Sequence, residues 1–164
     1  MSIVVIEGPD GSGKTTLARA YADLVGARYL HAEAPKLDSP HPLVAYTEPL
    51  NPAFNYVLDR WHLGEHVYGP IVRGKSSLTL RQSRAIDEMM MERTALLIHC
   101  NGTYSQLAKR LRDRGEEPHA TLAREAQAFS YVATNYTLLP VLQSPITAPI
   151  TPEEIRDAVA RTRS

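Results

Sequence analysis

Residues Glu7 to Thr16 read EGPDGSGKTT and follow directly on the apolar run SIVVI. Gly8, Gly13, Lys14 and Thr15 fit the spacing G-x-x-x-x-G-K-[ST], and no other feature of the chain restricts its fold as strongly. The restriction is geometric. A buried strand must deliver the chain to a loop whose glycines turn successive backbone N–H groups inward, and a helix must open at Lys14. The start of that helix adds partial positive charge, so the concavity selects an anion. Lys14 is expected to reach the β and γ phosphates of a nucleoside triphosphate, and the Thr15 hydroxyl to ligate Mg²⁺. The expected ATP-binding residues are Gly8, Asp10, Gly11, Ser12, Gly13, Lys14, Thr15 and Thr16.

The rest of the chain alternates strand-like and helix-like segments. Residues 14–25 carry Leu17, Tyr21, Leu24 and Val25 on one helical face, with Gly26 placed as a C-cap. ARYLHAEAP predicts a second strand, with Glu33 near its end. Pro35, Pro40, Pro42, Pro49 and Pro52 then break any long helix and predict a loop-rich excursion. NYVLDRW and ALLIHC predict two further strands, and VLQSPIT a weaker one. Helices are expected from Thr79, within YSQLAKRLRDRG up to Gly115, within LAREAQAFSYVATNY, and after the capping box TPEE at Thr151. The expected fold class is α/β: a three-layer P-loop NTPase fold around a parallel sheet of about five strands. At 164 residues it is expected to form one domain, spanning 1–164.

Composition restricts the partners. The formal net charge is zero, which offers no global attraction to nucleic acid or an anionic membrane. The single Cys100 has apolar flanks and reads as a buried thiol in a reducing compartment. The chain begins with a strand-like run rather than a charged leader, and no apolar run approaches the ~20 residues of a membrane span. A cytoplasmic location without membrane association is the expectation.

Binding a triphosphate leaves the reaction open, because GTPases, motor-type ATPases and small-molecule kinases share the loop. The second motif discriminates. YVLDR ends a strand at Asp59, where a carboxylate can join the Mg²⁺ shell beside Thr15, and Arg60 follows, suited to grip a second phosphate bidentately. No N-K-x-D motif is present, which weighs against a GTPase, and the chain is short for a mechanical ATPase.

The pairing of EGPDGSGKTT with DRWHLGEHVYGPIVRG resembles the thymidylate kinase family of nucleoside monophosphate kinases, here as a short, phage-like member. The resemblance implies transfer of the ATP γ-phosphoryl group, with Mg²⁺, to the 5′-phosphate of a deoxynucleotide, dTMP-like. It implies catalytic roles for Lys14, Asp59 and Arg60, with Thr15 and Asp59 at the metal. On the acceptor it implies Asp10 and Arg60, with Tyr68 against the sugar or base and Arg73 on a matching position. Some members carry a loop arginine where this chain has Gly11, and others draw on a mobile lid. KRLRDRGEEPH occupies the lid position, around 109–121, making Arg110, Arg112 and Arg114 candidates, with Arg110 and Arg114 retained as catalytic. The segment ITPEEIRDAV resembles the family's close, where the turn before the last helix lies near the adenine.

This chain departs from the family where Gly64 and Glu65 replace paired hydroxyl residues, and where helices that build the acceptor pocket give way to the proline-rich stretch. Glu33, Trp61 and Glu65 are further candidates for acceptor contact; Glu33 or Glu65 could serve as base toward a hydroxyl. The partner expected is a nucleotide or nucleoside, with DNA less favoured and a homodimer compatible with the family. Two alternatives stand beside the leading one: a kinase of a nucleoside hydroxyl, free or on a modified base in DNA, and a regulatory ATP-binding protein without turnover.

Overall fold

A computed structural model describes residues 1–32 and 42–162. Glu33 and the first part of the proline-rich stretch lie outside the described residues. Five strands, β1 (Ser2–Glu7), β2 (Arg28–His31), β3 (Tyr56–Asp59), β4 (Thr94–Asn101) and β5 (Val141–Pro145), form one all-parallel sheet in the order β2-β3-β1-β4-β5. The expected α/β P-loop NTPase architecture is the observed one. β1 is central and buried along its whole length, as its unbroken apolar run requires.

Strand parity assigns each side chain to a layer. Ile3 and Val5 join Tyr56, Leu58 and Leu97 in one core, whereas Val4 and Ile6 join Val57, Leu96 and Ile98 in the other. The first face is covered by α3 (His62–Tyr68), α4 (Leu80–Met91) and α6 (Leu122–Asn135), the second by α1 (Lys14–Val25) and α7 (Pro152–Arg161). A third, small cluster of Leu107, Ala108, Leu111 and Leu122 joins α5 (Tyr104–Asp113) to the start of α6. All strands run the same way, so the loops after β1, β3 and β4 meet at one edge, where open α/β sheets hold ligands.

The helices with local caps fall where their caps predict. Thr79, Thr103 and Thr151 each accept a hydrogen bond from the residue three along, and Gln82, Gln106 and Glu154 return one. α1 differs, because its N-cap is Gly13 at φ 89° and no side chain caps it. The N–H groups at that end stay available.

Two features depart from expectation. The proline-rich stretch contains a short helix, α2 (Pro42–Thr47), with Pro42 at the first position, where a missing N–H costs nothing. The segment after β3 forms α3 and then a π-helical turn over Gly69–Arg73, ended by Gly74 at φ 76°. A side chain at Gly69 would place Cβ 2.8 Å from both Glu65 Oε1 and Lys75 O, so this turn closes only around glycine.

Thr151→Ala removes the hydroxyl that caps α7 and is expected to cost about 1 kcal/mol. Urea unfolding should show a lower midpoint with an unchanged slope.

Candidate active site

The loop after β1 is tightest at its first glycine. At Gly8 a Cβ would lie 2.2 Å from the Cys100 carbonyl oxygen, so β4 presses directly against the start of the turn. Gly11 and Gly13 follow at φ 79° and 89°, which turns the amides between them into the concavity. Lys14 is buried and spans this loop, its Nζ donating to Pro9 O at 3.2 Å and Asp10 Oδ1 at 3.3 Å. Burial lowers the Lys14 pKa and the Arg60 charge lowers it further, with Asp10 opposing.

Asp59 ends β3 on the α1 side of the sheet, the parity it shares with Val57. It is fully buried. Oδ2 accepts from the Tyr29 hydroxyl at 2.8 Å and lies 3.1 Å from His31 Nδ1. Oδ1 has no hydrogen-bond partner among the described residues. A buried carboxylate held by one oxygen with the other uncommitted fits the shell of a divalent cation, and Thr15 lines the adjoining phosphate-sized cavity.

Arg60 turns the chain sharply. It is the one non-glycine residue at positive φ among those described, at 59°, a conformation costing about 1–2 kcal/mol. Hydrogen bonds on both sides of it offset that cost. Its own N–H donates to Ile6 O at 3.0 Å, and the next N–H, of Trp61, donates to Glu7 Oε1 at 2.7 Å. Gly64 N–H donates to the same oxygen at 3.0 Å, so a carboxylate from β1 caps α3 from outside the helix. The turn aims the guanidinium back at the loop, where Nη2 meets Asp10 Oδ1 at 2.5 Å and the group stands over the Tyr68 ring. Burial opposes ionisation of Asp10, but Lys14 and Arg60 outweigh it and hold the carboxyl below the usual range.

Two cavities continue into one another around the loop. The polar one, about 240 Å³, is lined by Asp10, Lys14, Thr15, Thr16, Arg60 and Arg114. The other, about 570 Å³, is largely apolar and runs from Gly11 and Gly13 past Leu17, Arg110 and Arg114 to the turn before α7 at Pro149–Pro152. Together they form a groove with an apolar end and a cationic end. Arg110 leans across the loop, its Nη1 donating to Ser12 O at 3.4 Å. Arg112 is on the exposed face of α5, and Arg114 lines both cavities while paired with Glu116 at 3.1 Å. Cys100 borders the apolar end, its thiol pushed up to about 12 by burial.

Glu65 and Arg73 stand together rather than in the groove. Glu65 is buried on α3, and its Oε1 accepts from the Arg73 guanidinium and from Ser77 N–H at 2.6 Å. Trp61 packs in the core with its ring 5.5 Å from that of Tyr46, and both line a third cavity of about 240 Å³ with Leu30 and His31. His62 is fully buried with Nε2 2.9 Å from Asp87 Oδ1, tying α3 to α4. Glu7, Tyr29 and His31 are site residues that motif reading passes over. Tyr29 and His31 share the parity of Asp59 through the β2–β3 register, a signal that was present in the chain. His119 and Glu125, near Asp10 from the start of α6 and the segment before it, had no such signal.

A family model described as the ATPase family associated with various cellular activities (AAA) matches residues 4–117. That span includes the loop, Asp59, Arg60 and the lid arginines. The thymidylate kinase likeness is a finer matter than this match. No curated protein matches the sequence. Among solved structures, the YorR protein of Bacillus subtilis, in complex with phosphorylated GDP, is similar at TM-score 0.81 and 20% identity over 99% of this chain and 96% of its own. A gluconokinase from Sinorhizobium meliloti is similar at TM-score 0.64 and 18% identity, covering 99% and 91%. A deoxyadenosine kinase from M. mycoides with bound dATP is similar at TM-score 0.60 and 13% identity, covering 99% and 100%. Identities this low speak for the shared fold. No helix among the described residues is long and apolar enough to cross a membrane.

Burial pushes the Glu7 carboxyl up to about 7, against its two backbone donors and the charges of Lys14 and Arg60. The folded chain therefore keeps the proton that the unfolded chain gives up near 4.5. Stability from this group is complete below that value and is lost as pH rises through about 7, a swing of about 3 kcal/mol. Urea unfolding at pH 5 and pH 8 should show wild type losing stability relative to Glu7→Gln. Parallel behaviour of the two proteins would contradict the assignment.

Proposed function

The chain belongs to the ATPase family associated with various cellular activities (AAA), and on that premise we propose that it is an ATP-dependent phosphotransferase acting on a nucleoside-derived small molecule. The observation that carries this reading is the continuous groove, apolar toward α7 and lined by Lys14, Arg60 and Arg114 at the loop. Similar structures described as holding phosphorylated GDP or dATP, and as a gluconokinase, are consistent with it.

The base of ATP occupies the apolar end and the triphosphate the amide cradle, with Lys14 on the β and γ oxygens. Mg²⁺, held through Thr15 and Asp59, would neutralise charge between those phosphates. Arg110 and Arg114 stand where the moving phosphoryl group needs compensation, since positioning and charge stabilisation supply most of the rate in such transfers. Arg60 and Tyr68 face the acceptor, and Asp10 lies between donor and acceptor.

Two acceptor oxygens fit this frame. The thymidylate kinase-like motifs favour the 5′-phosphate of a deoxynucleoside monophosphate, dTMP-like, held by Arg60. The contact of Arg60 with Asp10 at 2.5 Å favours a nucleoside hydroxyl, because a phosphate would have to displace a carboxylate already there. A hydroxyl on a modified base in DNA is a weaker variant, given a net charge of zero.

With ATP and Mg²⁺, ADP formation should rise on adding one of the deoxynucleosides or their monophosphates. Lys14→Ala should lower kcat by about 10²–10³-fold, and Arg60→Ala should do so for the same acceptor. ATP binding without acceptor-stimulated ADP release would leave a nucleotide-binding regulator instead.

A further inference from the structure

His119 enters the site from the segment between α5 and α6 and has no part in the phosphate cradle. Its Nε2 lies 3.6 Å from Asp10 Oδ2 in the loop. Its Nδ1 lies 3.0 Å from the Thr121 hydroxyl oxygen and 3.5 Å from Glu125 Oε1. The tautomer follows from hydrogen-bond accounting. Thr121 donates its one proton to the buried Glu125 carboxylate at 2.8 Å, so its oxygen can only accept from the ring. Nδ1 thus carries the proton, and in the neutral ring the Nε2 lone pair faces Asp10. Two acceptors then look at each other across 3.6 Å, with side chains 39% and 36% exposed. A hydroxyl resting against both atoms can give its proton to either one. An ionised phosphate oxygen has no proton to donate, whereas a hydroxyl has one.

We propose that His119 is the general base of a hydroxyl acceptor, its tautomer set by the Thr121–Glu125 relay, so that the phosphoryl acceptor is a nucleoside hydroxyl. This rests on the phosphotransferase reading and narrows its acceptor. In the step, the acceptor O–H gives its proton to Nε2 while its oxygen bonds the γ-phosphorus of ATP. The bond from that phosphorus to the bridging oxygen breaks, and ADP leaves with the electron pair. The imidazolium formed is stabilised by Asp10 and Glu125 and returns its proton to solvent. Asp10 itself is a poor base, because Lys14 and Arg60 hold its carboxyl below the usual range despite its burial. The same two cations, 3.3 and 2.5 Å from Oδ1, oppose a metal ion in this cluster. The charged and titratable groups facing His119 are Asp10 from the loop and Glu125 from α6, with Lys14, Arg60 and Tyr68 behind Asp10.

The test uses the full chain, ATP, Mg²⁺, the four deoxynucleosides and their 5′-monophosphates. Transfer to a nucleoside hydroxyl is expected, and His119→Gln should lower kcat for it by about 10²-fold with KM for ATP unchanged. The acid limb of the wild-type kcat profile, where the base becomes protonated, should flatten in that variant. Thr121→Val, which removes the acceptor for Nδ1, should give a smaller loss in kcat at unchanged ATP affinity. Transfer only to monophosphates, or an unchanged rate and acid limb in His119→Gln, would overturn this proposal while leaving the phosphotransferase reading in place. No transfer to any acceptor would overturn both.

Discussion

The relative placement of the two halves of this site depends on one buried carboxylate. Glu7 is the last residue of β1, and the phosphate loop begins at the next residue. Its Oε1 receives the Trp61 and Gly64 N–H groups, so the strand that launches the loop also holds the start of α3. Parity makes this contact available, because Glu7 lies on the same face as Ile3 and Val5, toward the core that α3 helps to cover. The second carboxyl oxygen faces Gly64, where a Cβ would sit 3.3 Å away, so any larger residue there would make the carboxyl give way by a few tenths of an ångström. Arg60, in its left-handed turn, is fixed between these hydrogen bonds.

On that scaffold the charges are arranged as a compensated chain. Lys14 and Arg60 share Asp10, at 3.3 and 2.5 Å, and burial and the Arg60 charge both lower the Lys14 pKa. Asp10, lying between them, offsets part of the cost of holding two cations beside the buried strand ends. A ligand that brings its own negative charge competes with Asp10 for these cations.

Much of this was legible in the sequence because the determining contacts are local. The loop spacing, the capping boxes at Thr79 and Thr151, and the apolar run of β1 each specify their element within a few residues. α3 was not legible, since its cap comes from Glu7 and its sequence holds two features, Gly64 and the following Gly69–Pro70, that read as breakers. Glu65 and Arg73 were singled out by their places in the block that opens with Asp59 and Arg60, and their mutual contact depends on the π-helical turn that no local pattern announces. His119 stands beside Asp10 through packing of α5 on α6, a tertiary relation.

Gly11 couples the loop to the helix that leans on it. A Cβ there would lie 2.9 Å from the Leu107 carbonyl oxygen and 3.3 Å from Leu111, at a φ of +79°. α5, the helix that carries Arg110 over Gly13, therefore occupies the space a longer loop residue would need. Supplying positive charge from the loop and supplying it from the helix are competing architectures. A side chain at Gly11 would push α5 away from the loop and carry Arg110 with it, so a cation gained on the loop would come at the expense of the one held by the helix.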